Sequence, residues 1–397
     1  MSESLEELAQ APMAIARFIL ETTDTSRRDR LWPSHFLVYA TNPMSIAYGA
    51  SGTALFLHDV LGELPEDISH WLLDQPLDTA SYPPGLYLGL AGIAYALAEL
   101  GFPARGEEVM HMAYRSPLLF ADPTMLVGAA GWGWASLYFH DRTGDAEYLE
   151  RAIEAGAHLL ATAEREDGLL SWRHSLDDRV HFGFAYGASG IALFLLHLGL
   201  RTGDHEFMAA AVGALEYDLR NAQMTREGPA WGRFPGDHLV EPYWLHGGAG
   251  VGTTVLRFYE ELGDTYYLDF AQRIADSLRV KFALLPGQWE GMSGIGEFHI
   301  DMWRLTGDAS YRDAAADLAE SILLYRIPRP DGMAFPGRRL DRISTDYATG
   351  SAGVGAFLQR LAVPRSRRFT DLPGRTSSAF AVARPAVPPA HATTATR

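Results

Sequence analysis

Ala185-Tyr186-Gly187-Ala188-Ser189-Gly190-Ile191-Ala192-Leu193-Phe194-Leu195-Leu196-His197-Leu198-Gly199-Leu200-Arg201-Thr202-Gly203-Asp204 reads as a turn, a helix and a stop. Gly187 and Gly190 stand three apart ahead of an apolar run, where glycine permits positive φ and close backbone approach before a helix begins. Ile191, Leu193, Phe194, Leu195, Leu196 and Leu198 make that helix apolar on nearly every side, which suits a helix buried among others. Gly203 supplies a C-terminal stop, and Asp204 caps a following amphipathic helix expected over Phe207 to Ala222.

The pattern recurs along the chain. Gly-x-x-Gly begins at Gly49, Gly89, Gly128, Gly187, Gly247, Gly291 and Gly350, which makes seven copies. Four of them keep a fixed register to a Gly-Asp stop: Gly128 to Gly144, Gly187 to Gly203, Gly247 to Gly263 and Gly291 to Gly307 are each 16 apart. The chain is therefore an internal repeat of helix pairs. Such pairs stack as an open solenoid with polar ends or close into a ring. No terminal copy has a polar inner helix, so the reading is all-α: a seven-fold double α-barrel, with apolar inner helices inside amphipathic outer ones. The ring is expected over residues 1–363 as one domain. Residues 364–397, rich in Pro, Ala, Thr and Arg, read as a disordered tail.

Composition narrows the function. The formal charge of −16 argues against nucleic acid as a partner, because phosphate binding needs basic surface. The acidic N-terminus lacks a signal-peptide pattern and no apolar run reaches membrane-spanning length, so the expected location is the cytoplasm, with no membrane partner. The absence of cysteine excludes disulfides and thiolate metal sites. Lys281 is the only lysine, and it is remote from every Gly-rich turn, which excludes a P-loop or kinase-type ATP site. Unusual residues concentrate in three long connections, Leu170 to His174, Ala230 to Gly236 and Met333 to Arg339, all expected at the end of the ring where the inner helices begin.

Seven spaced Gly-x-x-Gly helix starts over residues 5–363 closely resemble the lanthionine synthetase C-like family. The resemblance implies a seven-fold double α-barrel that adds a peptide cysteine thiol to a dehydroalanine or dehydrobutyrine, forming a thioether. In zinc-dependent members, repeat four carries His-Gly, repeat five Trp-Cys-x-Gly and repeat six Cys-His-Gly. Here those places read Tyr186-Gly187, Trp244-Leu245-His246-Gly247 and Trp289-Glu290-Gly291. No zinc ligand set survives that correspondence. The expectation is a zinc-independent cyclase with no cofactor, similar to the cyclase portion of class III lanthipeptide synthetases, which follows lyase and kinase domains on one chain. Its partners would be a dehydrated precursor peptide and kinase and lyase domains or proteins, and its product a lanthionine or labionin.

Seven parallel inner helices would bring seven positive N-terminal ends to one mouth, where a thiolate or enolate is stabilised. His246, just before its helix, is the candidate base for the thiol; Glu290 would orient that imidazole, and Tyr186 would protonate the enolate. Trp172, Arg173, His174, Arg233, Trp244, Trp289, Arg339 and Asp346 are the candidates for gripping peptide, although each has a plainer role in packing or loop bracing. Two other classes compete. One is a cyclase-like scaffold that has lost its chemistry. The other is a toroidal glycoside hydrolase or epimerase, which needs paired carboxylates such as Glu290 and Asp346.

Overall fold

A computed structural model describes residues 3–373, with side chains from residue 7 onward. Its inner helices are α2 (Ala50–Leu61), α4 (Leu90–Glu99), α6 (Ala129–Thr143), α8 (Ala188–Thr202), α10 (Gly248–Leu262), α12 (Met292–Thr306) and α14 (Ser351–Ala362). The outer ones are α1 (Glu3–Glu21), α3 (Glu66–Leu73), α5 (Pro103–Ala113), α7 (Ala146–Thr162), α9 (His205–Arg220), α11 (Thr265–Ser277) and α13 (Ala309–Leu323). Each inner helix packs on the next, and α14 packs back on α2. The first outer helix, α1, covers the last inner helix, α14, so the two ends of the ring are joined by packing.

The local reasons are legible in the caps. Gly144, Gly203, Gly263 and Gly307 end inner helices in the left-handed conformation, with φ of 73°, 70°, 68° and 74°. Asp145, Asp204, Asp264 and Asp308 then cap the outer helices by accepting an amide two residues on. The Gly-x-x-Gly turns work differently from the sequence expectation, because their first glycines are extended, with φ from −91° at Gly49 to −157° at Gly291. Close approach, not positive φ, is what they provide. A Cβ on the second glycine would meet the carbonyl oxygen six residues earlier, at 1.6 Å for Gly92 and 2.0 Å for Gly190.

That approach brings seven short segments together in a circle. Ala47 donates its amide to Tyr87, Tyr87 to Leu126, Leu126 to Ala185, Ala185 to Leu245, Leu245 to Trp289, Trp289 to Ala348, and Ala348 back to Ala47, over 3.0–3.3 Å. Each of these residues stands two before the first glycine of its repeat. The belt satisfies backbone groups that would otherwise be buried and unpaired, and it fixes all seven helix N-termini at one end of the barrel.

Three connections carry antiparallel hairpins that sequence reading took as loops: β1 (Glu164–Glu166) with β2 (Leu169–Ser171), β3 (Gln223–Met224) with β4 (Pro229–Ala230), and β5 (Ile327–Arg329) with β6 (Gly332–Ala334). Strands of two or three residues leave no readable alternation. After the first two hairpins a tryptophan returns to the outer helix: Trp172 donates to the Leu159 carbonyl at 2.9 Å and Trp231 to that of Asp218 at 2.7 Å.

The barrel is stopped at its other end by residues the sequence reading gave to the tail. Phe369, 1 % exposed and at φ 64°, stands inside the lumen against Tyr87, Tyr95 and Tyr347. Around it, Arg365 and Arg368 pair with Asp59 of α2, Arg368 also with Glu99 of α4, and Arg367 and Asp371 with Asp301 of α12 and Arg257 of α10. Cations at the C-terminal ends of parallel helices oppose the negative pole of the helix dipoles. The boundary at 363 therefore moves to at least residue 373. Residues 374–397 lie outside the described residues.

Candidate active site

Immediately after the belt, one residue before each first glycine, the chain presents Tyr48, Tyr186, His246 and Glu290 at the mouth. Tyr186 and His246 stack face to face, their ring centroids 5.0 Å apart and their planes 9° apart. Burial, reinforced by the charge of Glu290, pushes the Tyr186 hydroxyl up to about 12, so it keeps its proton at neutral pH. Burial has the opposite effect on His246, which falls to about 3 with a further push from His181, although a hydrogen bond to the Phe182 carbonyl acts the other way. His246 is thus an uncharged ring at neutral pH and a weaker base than a free imidazole, which counts against it as the group that takes the thiol proton.

Glu290 does not orient that imidazole. Both of its oxygens are held by the Arg338 guanidinium at 2.5 and 2.7 Å, while burial, ahead of the opposing charge of Arg338, raises its carboxyl above the usual range. Sequence reading chose Arg339, whose guanidinium covers Phe36 at 5.2 Å. The neighbouring Arg338 is the residue that reaches the mouth.

Several proposed peptide contacts are internal. Trp244 and Trp289 are buried in the lumen, where Tyr87 meets both edge-on at 5.1 and 5.7 Å. Trp172 is the buried staple described above. Asp346 is buried beneath the α14 N-terminus, accepting the Thr349 amide at 2.7 Å, the His35 amide at 3.2 Å and the Ser344 hydroxyl. These four brace the scaffold. Arg173 and Arg233 are exposed, paired with Glu164 and Asp237. Arg173 borders a groove of about 810 Å³ beside the mouth, shared with Asp178, Arg179, Tyr217 and Phe234.

His174 is the loop candidate that the structure brings to the mouth, together with residues sequence reading passed over. Its ring lies 5.0 Å from Tyr186 and 5.7 Å from His181, and His181 lies 5.5 Å from His246. Asp177 sits between the two histidines, 3.7 Å from His174 Nδ1 and 2.9 Å from His181 Nε2. Asp122, buried behind them, accepts the amide and hydroxyl of Ser175 and the amide of Thr124. The signal available in the sequence was the spacing His174-x-x-Asp177-x-x-x-His181, which follows the Trp172 staple.

At the positions the resemblance assigns to zinc, the chain carries Leu245, Trp289 and Glu290. The first two offer no ligand atom and the third is occupied by Arg338. That donor set does not fit zinc.

Buried neutral histidines make stability depend on pH. His197 and His246 are depressed to about 3 and His299 to about 4, in each case chiefly by burial. Groups with depressed folded values contribute stability that is present above the unfolded value of 6.5 and lost as pH falls below it, by about 2 kcal/mol each at pH 5. Asp218 works in the other direction. Burial raises it to about 7, so its contribution is present in acid and lost as pH rises through 7, which offsets about one histidine. The urea midpoint is expected to fall between pH 7.5 and pH 5, and His299→Gln to flatten that slope. Equal midpoints at the two pH values would contradict this account.

A closed toroid of seven helix pairs, with the inner N-termini gathered at one mouth, defines the class. The chain belongs to the lanthionine synthetase C-like family, whose profile matches residues 41–373. It is 28% identical over 343 residues to a probable SapB synthase of Streptomyces coelicolor, covering 86% of this chain but 36% of that protein. It is 27% identical over 208 residues to a LanC-like protein of Arabidopsis thaliana, covering 49% of this chain and 46% of the relative. The chain thus spans between a third and a half of these relatives. Among solved structures, nisin cyclase superposes with a TM-score of 0.62 at 16% identity, over 81% of this chain and 89% of that one. An α-1,2-mannosidase from Trichoderma reesei superposes with a TM-score of 0.56 at 12% identity, over 91% and 94%. These two likenesses concern the fold. No helix among the described residues is long and apolar enough to cross a membrane.

Proposed function

We propose that this chain is a lanthipeptide cyclase of the class III kind, forming lanthionine or labionin crosslinks in a dehydrated, cysteine-bearing precursor peptide without zinc at the ring centre. The observation that carries this reading is the His174, His181, Tyr186 and His246 cluster, set in a mouth where seven parallel inner helices begin. A thiol held there ionises against the positive helix ends and loses its proton to solvent. The thiolate sulfur then bonds to Cβ of the dehydroamino acid, and the π electrons move onto the Cα–carbonyl unit as an enolate. Tyr186, protonated at neutral pH, supplies the proton that Cα needs and regains one from the solvent that took up the thiol proton. The groove past Arg173 and Arg179 offers charges of both signs for the flanking peptide. Kinase and lyase partners would supply the dehydrated peptide. The need for a reduced peptide thiol fits a cytoplasmic location.

For the glycoside hydrolase or epimerase alternative, the two carboxylates put forward as the pair are engaged elsewhere, Asp346 in the α14 cap and Glu290 with Arg338. Loss of the zinc donors favours a second reading, a peptide-binding scaffold. Incubating the chain with a dehydrated peptide and following free thiols separates the two. A cyclase consumes thiol faster than peptide alone, and Tyr186→Phe slows it by at least about tenfold. Thiol loss equal to the uncatalysed rate would leave the scaffold.

A further inference from the structure

The loop that crosses the mouth contains more unpaired nitrogen than packing requires. Among the described residues, His174 Nε2, His181 Nδ1 and His246 Nδ1 are buried without a hydrogen-bond partner. All three rings belong to one cluster around Tyr186. Orphaned buried nitrogens are uncommon, and three in one place mark a polar cluster that packing alone does not explain, while the opposite ring nitrogens, His174 Nδ1 and His181 Nε2, both face Asp177.

The same loop offers a ligand set. One atom from each of His174, Asp177 and His181 lies within 4.8 Å of the others. The Asp177 carboxylate is 3.7 Å from His174 Nδ1 and 2.9 Å from His181 Nε2, distances that small side-chain rotations convert into a shared coordination sphere. At His174 Nδ1 the competing protein donor is the Leu176 amide at 3.3 Å, a long contact that an ion displaces. Ligation through Nδ1 leaves Nε2–H directed to Asp122, already 3.6 Å away and held by the Ser175 and Thr124 amides. A carboxylate behind a histidine ligand fixes its tautomer and orientation, the usual outer partner of a metal-binding imidazole. Asp177 is 42% exposed, so the site is open to solvent on one side.

We infer that His174, Asp177 and His181 form a binding site for a first-row divalent transition ion, with Asp122 as the carboxylate behind His174 and one coordination position open toward the mouth. Two imidazoles and a carboxylate are a donor set for Zn²⁺, distinct in place and in ligands from the position of Leu245, Trp289 and Glu290. Filling it would pin the 174–181 loop to the connection before α6 through Asp122.

The test is a calorimetric titration of untagged, chelator-treated full chain with Zn²⁺ alone. Wild type is expected to bind about one equivalent. His181→Ala and Asp177→Asn weaken binding by at least about a hundredfold, and Asp122→Asn by about 10- to 100-fold. His70→Ala, on a distant exposed helix, leaves it unchanged. Asp177 is a surface residue, so its variant reports on the site and not on folding. Absence of stoichiometric binding, or binding indifferent to Asp177→Asn, overturns the inference. Because the titration contains no peptide, its outcome is independent of whether the chain cyclises one.

Discussion

Ending the chain at Val363 instead of Pro373 is expected to lower its stability by roughly 6 kcal/mol or more. The shorter chain loses Phe369 from the lumen, and emptying a buried aromatic position costs about 3–5 kcal/mol. It also strips Asp59, 7% exposed, of both Arg365 and Arg368, and breaking a buried ion pair from one side costs about 3–5 kcal/mol. Arg257 loses Asp371, and Asp301 keeps Arg257 and Arg360 but not Arg367. Within the full chain, Phe369→Ala isolates the aromatic part at about 3 kcal/mol, because alanine keeps a Cβ and so the same left-handed backbone cost. Urea unfolding of the three chains checks the ordering. Equal midpoints for chains ending at 363 and 373 would mean that the segment merely lies against the barrel.

Gly92→Ala is expected to be as damaging from a single methyl group. The added Cβ would lie 1.6 Å from the Leu86 carbonyl oxygen and 3.0 Å from the Ile46 side chain. Neither a rotamer change nor a small shift relieves a backbone contact that short. The start of α4 must move away from the belt, breaking the Tyr87 links to Ala47 and Leu126. A loss of at least about 4 kcal/mol, or failure to fold, follows. Gly144→Ala is the contrast. Its Cβ meets nothing within 4 Å, and the cost is the left-handed backbone alone, about 1 kcal/mol. If the two variants unfold at the same urea concentration, the second glycine of the repeat is not a close-approach position.

The sequence was informative where one residue type has one physical use. Gly-Asp stops and Gly-x-x-Gly starts located every inner helix from α2 to α14, because a left-handed C-cap and a close backbone approach each exclude other residues. The mouth was legible only in part. His246 was read as lying at the mouth, but its protonation depends on burial, on the charge of His181 and on a hydrogen bond to Phe182, which come from the preceding repeat and which numbering does not bring near. His246 consequently read as an effective base, whereas its burial makes it a weak one. His181 and Asp122 are 59 residues apart in number, and only the ring brings their loops onto one side. The terminal segment misled for a different reason. Pro364, Arg365, Arg367 and Arg368 look like a solvated tail, and the acids that receive the arginines, Asp59, Glu99 and Asp301, are scattered over three helices.

Phe369 and its arginines make the barrel a blind cup. A linear substrate cannot be threaded through it from one side to the other, so every segment that reaches the mouth has to leave the way it came. If the chain is the cyclase proposed above, each of several crosslinks in a peptide would be made on a separate visit by a local loop, with the strand released and re-presented between visits. The sequence of ring closures would then follow from which loop docks best at each visit, not from the order in which residues pass through a pore.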